Sequence, residues 1–159
     1  MKKSINQLGL LAVISFIAFI TINASDPSDN KKVAKDFYNS YNKHDLQKSF
    51  DDFISKDLVN RTMGGGMDRE KWLNFDESVI AACPNLKMTV KEQMAEGNKV
   101  ITHWISEGTH TGDFMGMTGT DNAIRLEGVS IDQISKGKIK EHLAIADFTQ
   151  FIQQFAEKK

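Results

Sequence analysis

Asp147 and His110 are the two side chains whose type and setting could move a proton. Asp147 ends the run KIKEHLAIAD, where it alternates in step with Ile139, Leu143 and Ile145. A strand that turns those three apolar residues inward carries the carboxyl with them. Desolvation there lifts a carboxylate's pKa toward the range of a general acid or base. The same residue opens DFTQFIQQF, and Asp is a favoured helix N-cap, so proton transfer and capping stand as two open roles. His110 ends KVITHWISEGTH in step with Trp104 and Ser106. That parity sets it at the rim of the same face as a hydrogen-bond donor or proton shuttle, or leaves it simply to shape the strand exit between Gly108 and Gly112.

The expected pocket walls are Trp72, Trp104, Leu143, Met115 and Met117. Methionine adapts to varied apolar shapes, which suits a ring-like or aliphatic small molecule at the stretch EGTHTGDFMGM. His103 and His142 fall on the opposite parities from Trp104 and Asp147 and read as exterior or interface residues. Arg125, Glu127, Ser130 and Asp132 read as a solvated polar face. The four histidines and single cysteine share no metal-ligand spacing on one element, and no glycine-rich phosphate loop follows a strand, so neither a metal nor a cofactor is expected. Cys83, in VIAACP, reads as a buried apolar residue.

These side chains need a sheet with helices across it. Val33, Phe37 and Tyr41 recur at spacing four and predict a helix over about Asn30 to Lys43. Leu46, Phe50, Phe53 and Ile54 make the stripe of a second, capped by Asp45. DLVN reads as a short strand and the glycines at 64 to 66 as a loop. A third helix starts near Asp68, with Trp72, Phe75, Val79 and Cys83 on its stripe, and ends at Pro84. From Leu86 the period changes to two, predicting four long strands with EGN and KGK as turns. Ile124 and Leu126 take one parity and Val129 and Ile131 the other, which predicts a β-bulge at Gly128. Phe148, Phe151, Ile152 and Phe155 predict a short terminal helix. Helices followed by a strand meander make the fold α+β.

Residues 1–24 begin with Lys2 and Lys3 and continue as a long apolar run, the pattern of a signal peptide. Residues 25–30 read as a polar linker and 31–159 as one domain. The expected setting is secreted or periplasmic, without stable membrane insertion after cleavage; a retained anchor is the alternative. Cleavage would leave 135 residues with 18 basic against 21 acidic side chains, which offers no basic field for nucleic acid. Apolar residues on both parities of VITHWI imply a homodimer through the outer sheet face.

ACPNLKMTV, GNKVITHW, EGTHTGDFMGM and GKIKEHLAIAD together resemble the SnoaL-like polyketide cyclases, also called ester cyclase-like, of the NTF2-like superfamily. The resemblance spans about Val33 to Phe155. It implies a cone-shaped barrel of N-terminal helices packed on a curved antiparallel sheet, and an aspartate for proton transfer, best matched by Asp147. The chain departs from the family where MTGTDN replaces a Pro-Pro-Thr-Gly-Arg loop, where Leu143 replaces a tryptophan, where Asn85 replaces an aspartate after Pro84, and where Arg61 replaces a histidine. The implied activity is cofactor-free acid/base chemistry (cyclisation, isomerisation or hydrolysis) on a small apolar molecule bearing a carbonyl. A non-catalytic carrier of a small hydrophobic ligand is the rival reading, and a dimeric interaction protein a third.

Overall fold

The computed structural model describes residues 26–156; the expected signal peptide lies outside them. Helix α1 spans Pro27–Ser40. Asp26 caps it by accepting from the Ser28 amide, and Pro27 supplies a preset φ at its first position. Most of the expected linker is therefore helix. A 3-10 turn at Tyr41–Lys43 leads to α2, Leu46–Phe53, capped by Asp45 as its sequence implies. Strand β1 runs Ile54–Asn60, so Ile54 opens a strand instead of closing a helix. After a second 3-10 turn and the glycine loop comes α3, Arg69–Ala82, followed by β2 Lys87–Glu96, β3 Lys99–Thr109, β4 Ala123–Ser135, β5 Lys138–Ala146 and α4 Phe148–Gln153.

The five strands form one curved sheet in the order β1-β5-β4-β3-β2, parallel between β1 and β5 and antiparallel elsewhere. Helices cover its inner face. Phe37 of α1 sits at the centre of the core, edge-on to Tyr38, Tyr41, Phe50 and Trp72. Among the described residues no helix is long and apolar enough to cross a membrane.

The sheet's register shifts in β1 between Ile54 and Val59, and bulges in β2 and β5 decide which side chains of those strands face inward; none lies at Gly128. Strands β3 and β4 pair without interruption from Lys99 opposite Gln133 to Thr109 opposite Ala123. The inner face of β4 is thus Ile124, Leu126, Gly128, Ser130, Asp132 and Ile134, and Val129 and Ile131 face outward. Gly128 serves a different need. A Cβ there would stand 2.7 Å from Trp104 Cζ2 and 2.9 Å from Cη2, so the missing side chain is the space the indole occupies.

The bulges are in β2 and β5. Val90 and Glu92 pair with consecutive residues Trp104 and His103, leaving Lys91 extra. In β5, Gln133 and Ile134 face Glu141 and Ile139, leaving Lys140 extra. An added residue exchanges the two faces of everything beyond it. Ile139 points inward, and so do His142 and Ala144, while Leu143, Ile145 and Asp147 are turned away.

Candidate functional site

The β5 bulge places His142 directly opposite Asp132 on straight β4. His142 Nδ1 lies 2.7 Å from Asp132 Oδ1, and Tyr38 of α1 donates its hydroxyl to the other carboxylate oxygen, Oδ2, at 2.8 Å. Asp132 is wholly buried. Ionised, its oxygens can only accept, so the pairing puts a ring proton on Nδ1, and in the neutral imidazole Nε2 then carries the lone pair. Nε2 has no protein partner among the described residues. Trp72 of α3 stacks flat on the imidazole, with centroids 4.1 Å apart and planes 18° off parallel. Histidine orientation is thereby fixed on two sides.

This assembly forms one wall of a cavity between helices and sheet that holds about 740 Å³, its open mouth included. Trp104, whose Nε1 donates to Ser130 Oγ at 2.8 Å, and Leu126 line the sheet side. Phe148 and Phe151 of α4 close one end, and half-exposed Met63 stands in the glycine loop at the mouth. One turn beyond Trp72, Asp76 also lines the cavity and accepts the Tyr41 hydroxyl. Burial pushes its carboxyl up to about 6, against the hydrogen bond from Tyr41 and the neighbouring His142. Burial also raises Tyr38 well above the usual phenol value, helped by the charge of Asp132, so Tyr38 stays a donor. The wall therefore carries an oriented imidazole and a carboxyl whose proton comes off close to neutral pH, facing apolar and aromatic surfaces. Such a pair can remove a proton from carbon and return one to oxygen. Among the described residues no three His, Cys, Asp or Glu side chains are grouped to hold a metal.

Trp72 and Trp104 stand in the cavity wall, where the sequence reading set them. The other expected site residues lie elsewhere. Asp147 is exposed and caps α4, accepting from the Gln150 amide at 2.8 Å. The Lys140 bulge reverses the parity on which its inward placement rested, and Leu143 is turned outward with it. His110 is fully buried but outside the cavity, with Nδ1 3.1 Å from Thr120 Oγ1 and its ring edge-on to Phe155. Its backbone anchors the loop, accepting from the amides of Thr120 and Asp121. Met115 is 70 % exposed at φ +50° and is followed by Gly116 at φ +82°. These two residues form a tight turn between Phe114 and Met117, which bond to each other in both directions. Phe114, not either methionine, enters the core there, and Met117 packs half-buried against its edge. His103 is on the outer face with Glu127, as expected.

Sequence reasoning missed His142, Asp132, Asp76 and Tyr38 as a group. One signal was present: Lys140 and Glu141 put two charges in succession inside an otherwise alternating strand, which a continuous pleat cannot place on one solvent face.

Residues 31–155 match the family model of the SnoaL-like polyketide cyclase. No curated protein matches the chain. Among solved structures, AclR from Streptomyces galilaeus, described as a candidate hydroxylase, is 22 % identical, superposes with a TM-score of 0.74 and shares 82 % of each chain. IdmH from Streptomyces antibioticus, described as a candidate polyketide cyclase, is 25 % identical over 79 % of this chain and 96 % of its own, with a TM-score of 0.69. TsrD from Streptomyces laurentii is 16 % identical over 84 % of this chain and 99 % of its own, with a TM-score of 0.71.

Proposed function

The chain belongs to the SnoaL-like polyketide cyclase family, and from that premise we propose that it is a cofactor-free enzyme performing acid/base chemistry on a small apolar carbonyl compound, with His142 as the proton-transfer group. The observation that carries this reading is the His142–Asp132 pair set in an apolar cavity wall with Nε2 free. Asp132 is a positioning residue: it holds the ring tautomer and balances the imidazolium that forms.

In the proposed step, a C–H bond next to the carbonyl breaks and its proton passes to Nε2. The electron pair forms the enolate C=C bond as negative charge moves to oxygen. If the enolate carbon attacks a second carbonyl of the same molecule, a C–C bond closes a ring and the imidazolium returns its proton to the new alkoxide. Atoms and charge balance without any outside reagent. The same reading has the protein exported and working as a homodimer.

Proton abstraction can be measured before the natural substrate is known. Incubated in D2O with 1-tetralone, a bicyclic ketone, the protein should speed exchange of the hydrogens next to the carbonyl, followed by proton NMR. His142→Gln keeps a polar contact to Asp132 but removes the base, and should slow the enzymatic exchange by roughly 10² to 10⁴. Equal rates for the two proteins would overturn the assignment. A ketone that binds without exchanging would instead favour the carrier.

A further inference from the structure

Asn60 is the last residue of β1 and the parallel-strand neighbour of His142. It is only 7 % exposed and lines the same cavity. Its side-chain oxygen accepts from the Thr62 amide at 2.9 Å. A backbone amide can only donate, so this contact decides which branch of the Asn60 amide is oxygen and which is nitrogen. Nδ2 is left on the other branch, buried and with no hydrogen-bond partner among the described residues. Two further bonds hold the segment still: the Arg61 amide donates to the His142 carbonyl at 2.8 Å, and the Ala144 amide donates to Thr62 Oγ1 at 2.9 Å.

Leaving a buried donor unpaired forfeits its hydration without replacement, and native interiors seldom carry that cost without a use for the group. Here the donor is rigid, lines the cavity and sits beside the free imidazole nitrogen's residue. We propose that Asn60 Nδ2 is the donor for a carbonyl oxygen of the bound ligand, and that the cavity therefore selects flat apolar molecules carrying an oxygen acceptor at the His142 end. A neutral amide suits that task. It donates to a ketone or ester oxygen and binds more strongly as that oxygen gains negative charge, whereas a carboxylate ligand would face Asp76 in the lining and Asp132 behind it. The inference rests on this cavity being the ligand site, as proposed above, and not on His142 moving a proton.

The two tryptophans of the chain, Trp72 and Trp104, both line the cavity, so intrinsic fluorescence reports occupancy directly. Titration with 1-tetralone and with tetralin compares two ligands of one skeleton that differ by the carbonyl oxygen. The full-length protein should prefer 1-tetralone by roughly tenfold, the worth of one well-placed buried hydrogen bond. Asn60→Ser keeps a hydroxyl able to accept from the Thr62 amide but cannot reach the ligand, and should bring the preference to about one. Asn60→Asp replaces the donor with an acceptor and should reverse it. Near-UV circular dichroism checks that each variant is folded. A wild-type protein that shows no preference, or binds neither ligand at millimolar concentration, overturns the proposal, and so does a preference unchanged in a folded variant; in those cases Nδ2 serves an ordered water alone. The exchange experiment is independent: preserved preference with no exchange would remove the catalytic reading and leave the subsite standing.

Discussion

Burial acts on Asp76 through its proton. Its carboxyl is pushed up to about 6 from the ordinary 3.8, so the folded protein holds that proton more tightly than the unfolded chain does. The stability it contributes is complete below about pH 4 and is lost as pH rises through about 6. Asp76→Asn imitates the protonated acid and still accepts from Tyr41. Thermal melts should therefore match wild type near pH 4 and run a few degrees higher for the variant above pH 6, the gap opening between those values. A gap independent of pH would show that Asp76 acts through packing alone. At this scale the sequence disclosed the two tryptophans, because large aromatic residues on an apolar stripe or strand nearly always find the interior. It hid Asp76 and Asp132. Charged residues are mostly assigned to water by type, and only a three-dimensional partner, Tyr41 for Asp76 and His142 for Asp132, reverses that assignment.

For the elements, alternation and helical spacing located nearly every strand and helix, because those periods report backbone geometry directly. They did not fix the phase of β5. Lys140 is one residue too many for its partner strand, and the error it introduces into the reading of faces moves Asp147 out and His142 in. In β4 the opposite mistake arises: Gly128 looks like a bulge, whereas the strand runs straight and the glycine makes room for an indole. Gly128→Ala should thus be costly. With a new methyl group 2.7 Å from Trp104 Cζ2 and 3.0 Å from Ala146 Cβ, the ring must leave its place and its hydrogen bond to Ser130. A loss of about 1 to 3 kcal/mol is expected in urea unfolding, with a changed tryptophan emission in the folded state. An unaltered midpoint and spectrum would mean that the indole is held loosely.

Taken as one body, the molecule has an inner surface that is closed over and an outer sheet surface that is not. Ile145 is 59 % and Met94 58 % exposed there, with Ile101 beside them at 36 %. A second copy placed against this face would bury them. Light scattering at micromolar concentration should give twice the monomer mass, and Ile101→Lys should halve it; a wild-type monomer would count against the homodimer. Expressed with its first 25 residues in a bacterium, the protein should be recovered from the periplasm with a new N-terminus near Ser25, and recovery of the full chain only in membranes would favour a retained anchor. The bulge at Lys140 has a consequence for how such a chain can change over generations. Its interior chemistry is written in a count of residues as much as in their kinds. In-frame loss of the Lys140 codon would only straighten the strand, with Glu141 and His142 still opposite Gln133 and Asp132, whereas loss of the Leu143 codon would keep the histidine and turn Ile145 and Asp147 to the inner face. Two descendants could then be nearly identical in text and opposite in content, and a comparison that simply closed the gap would pass over the one event that mattered.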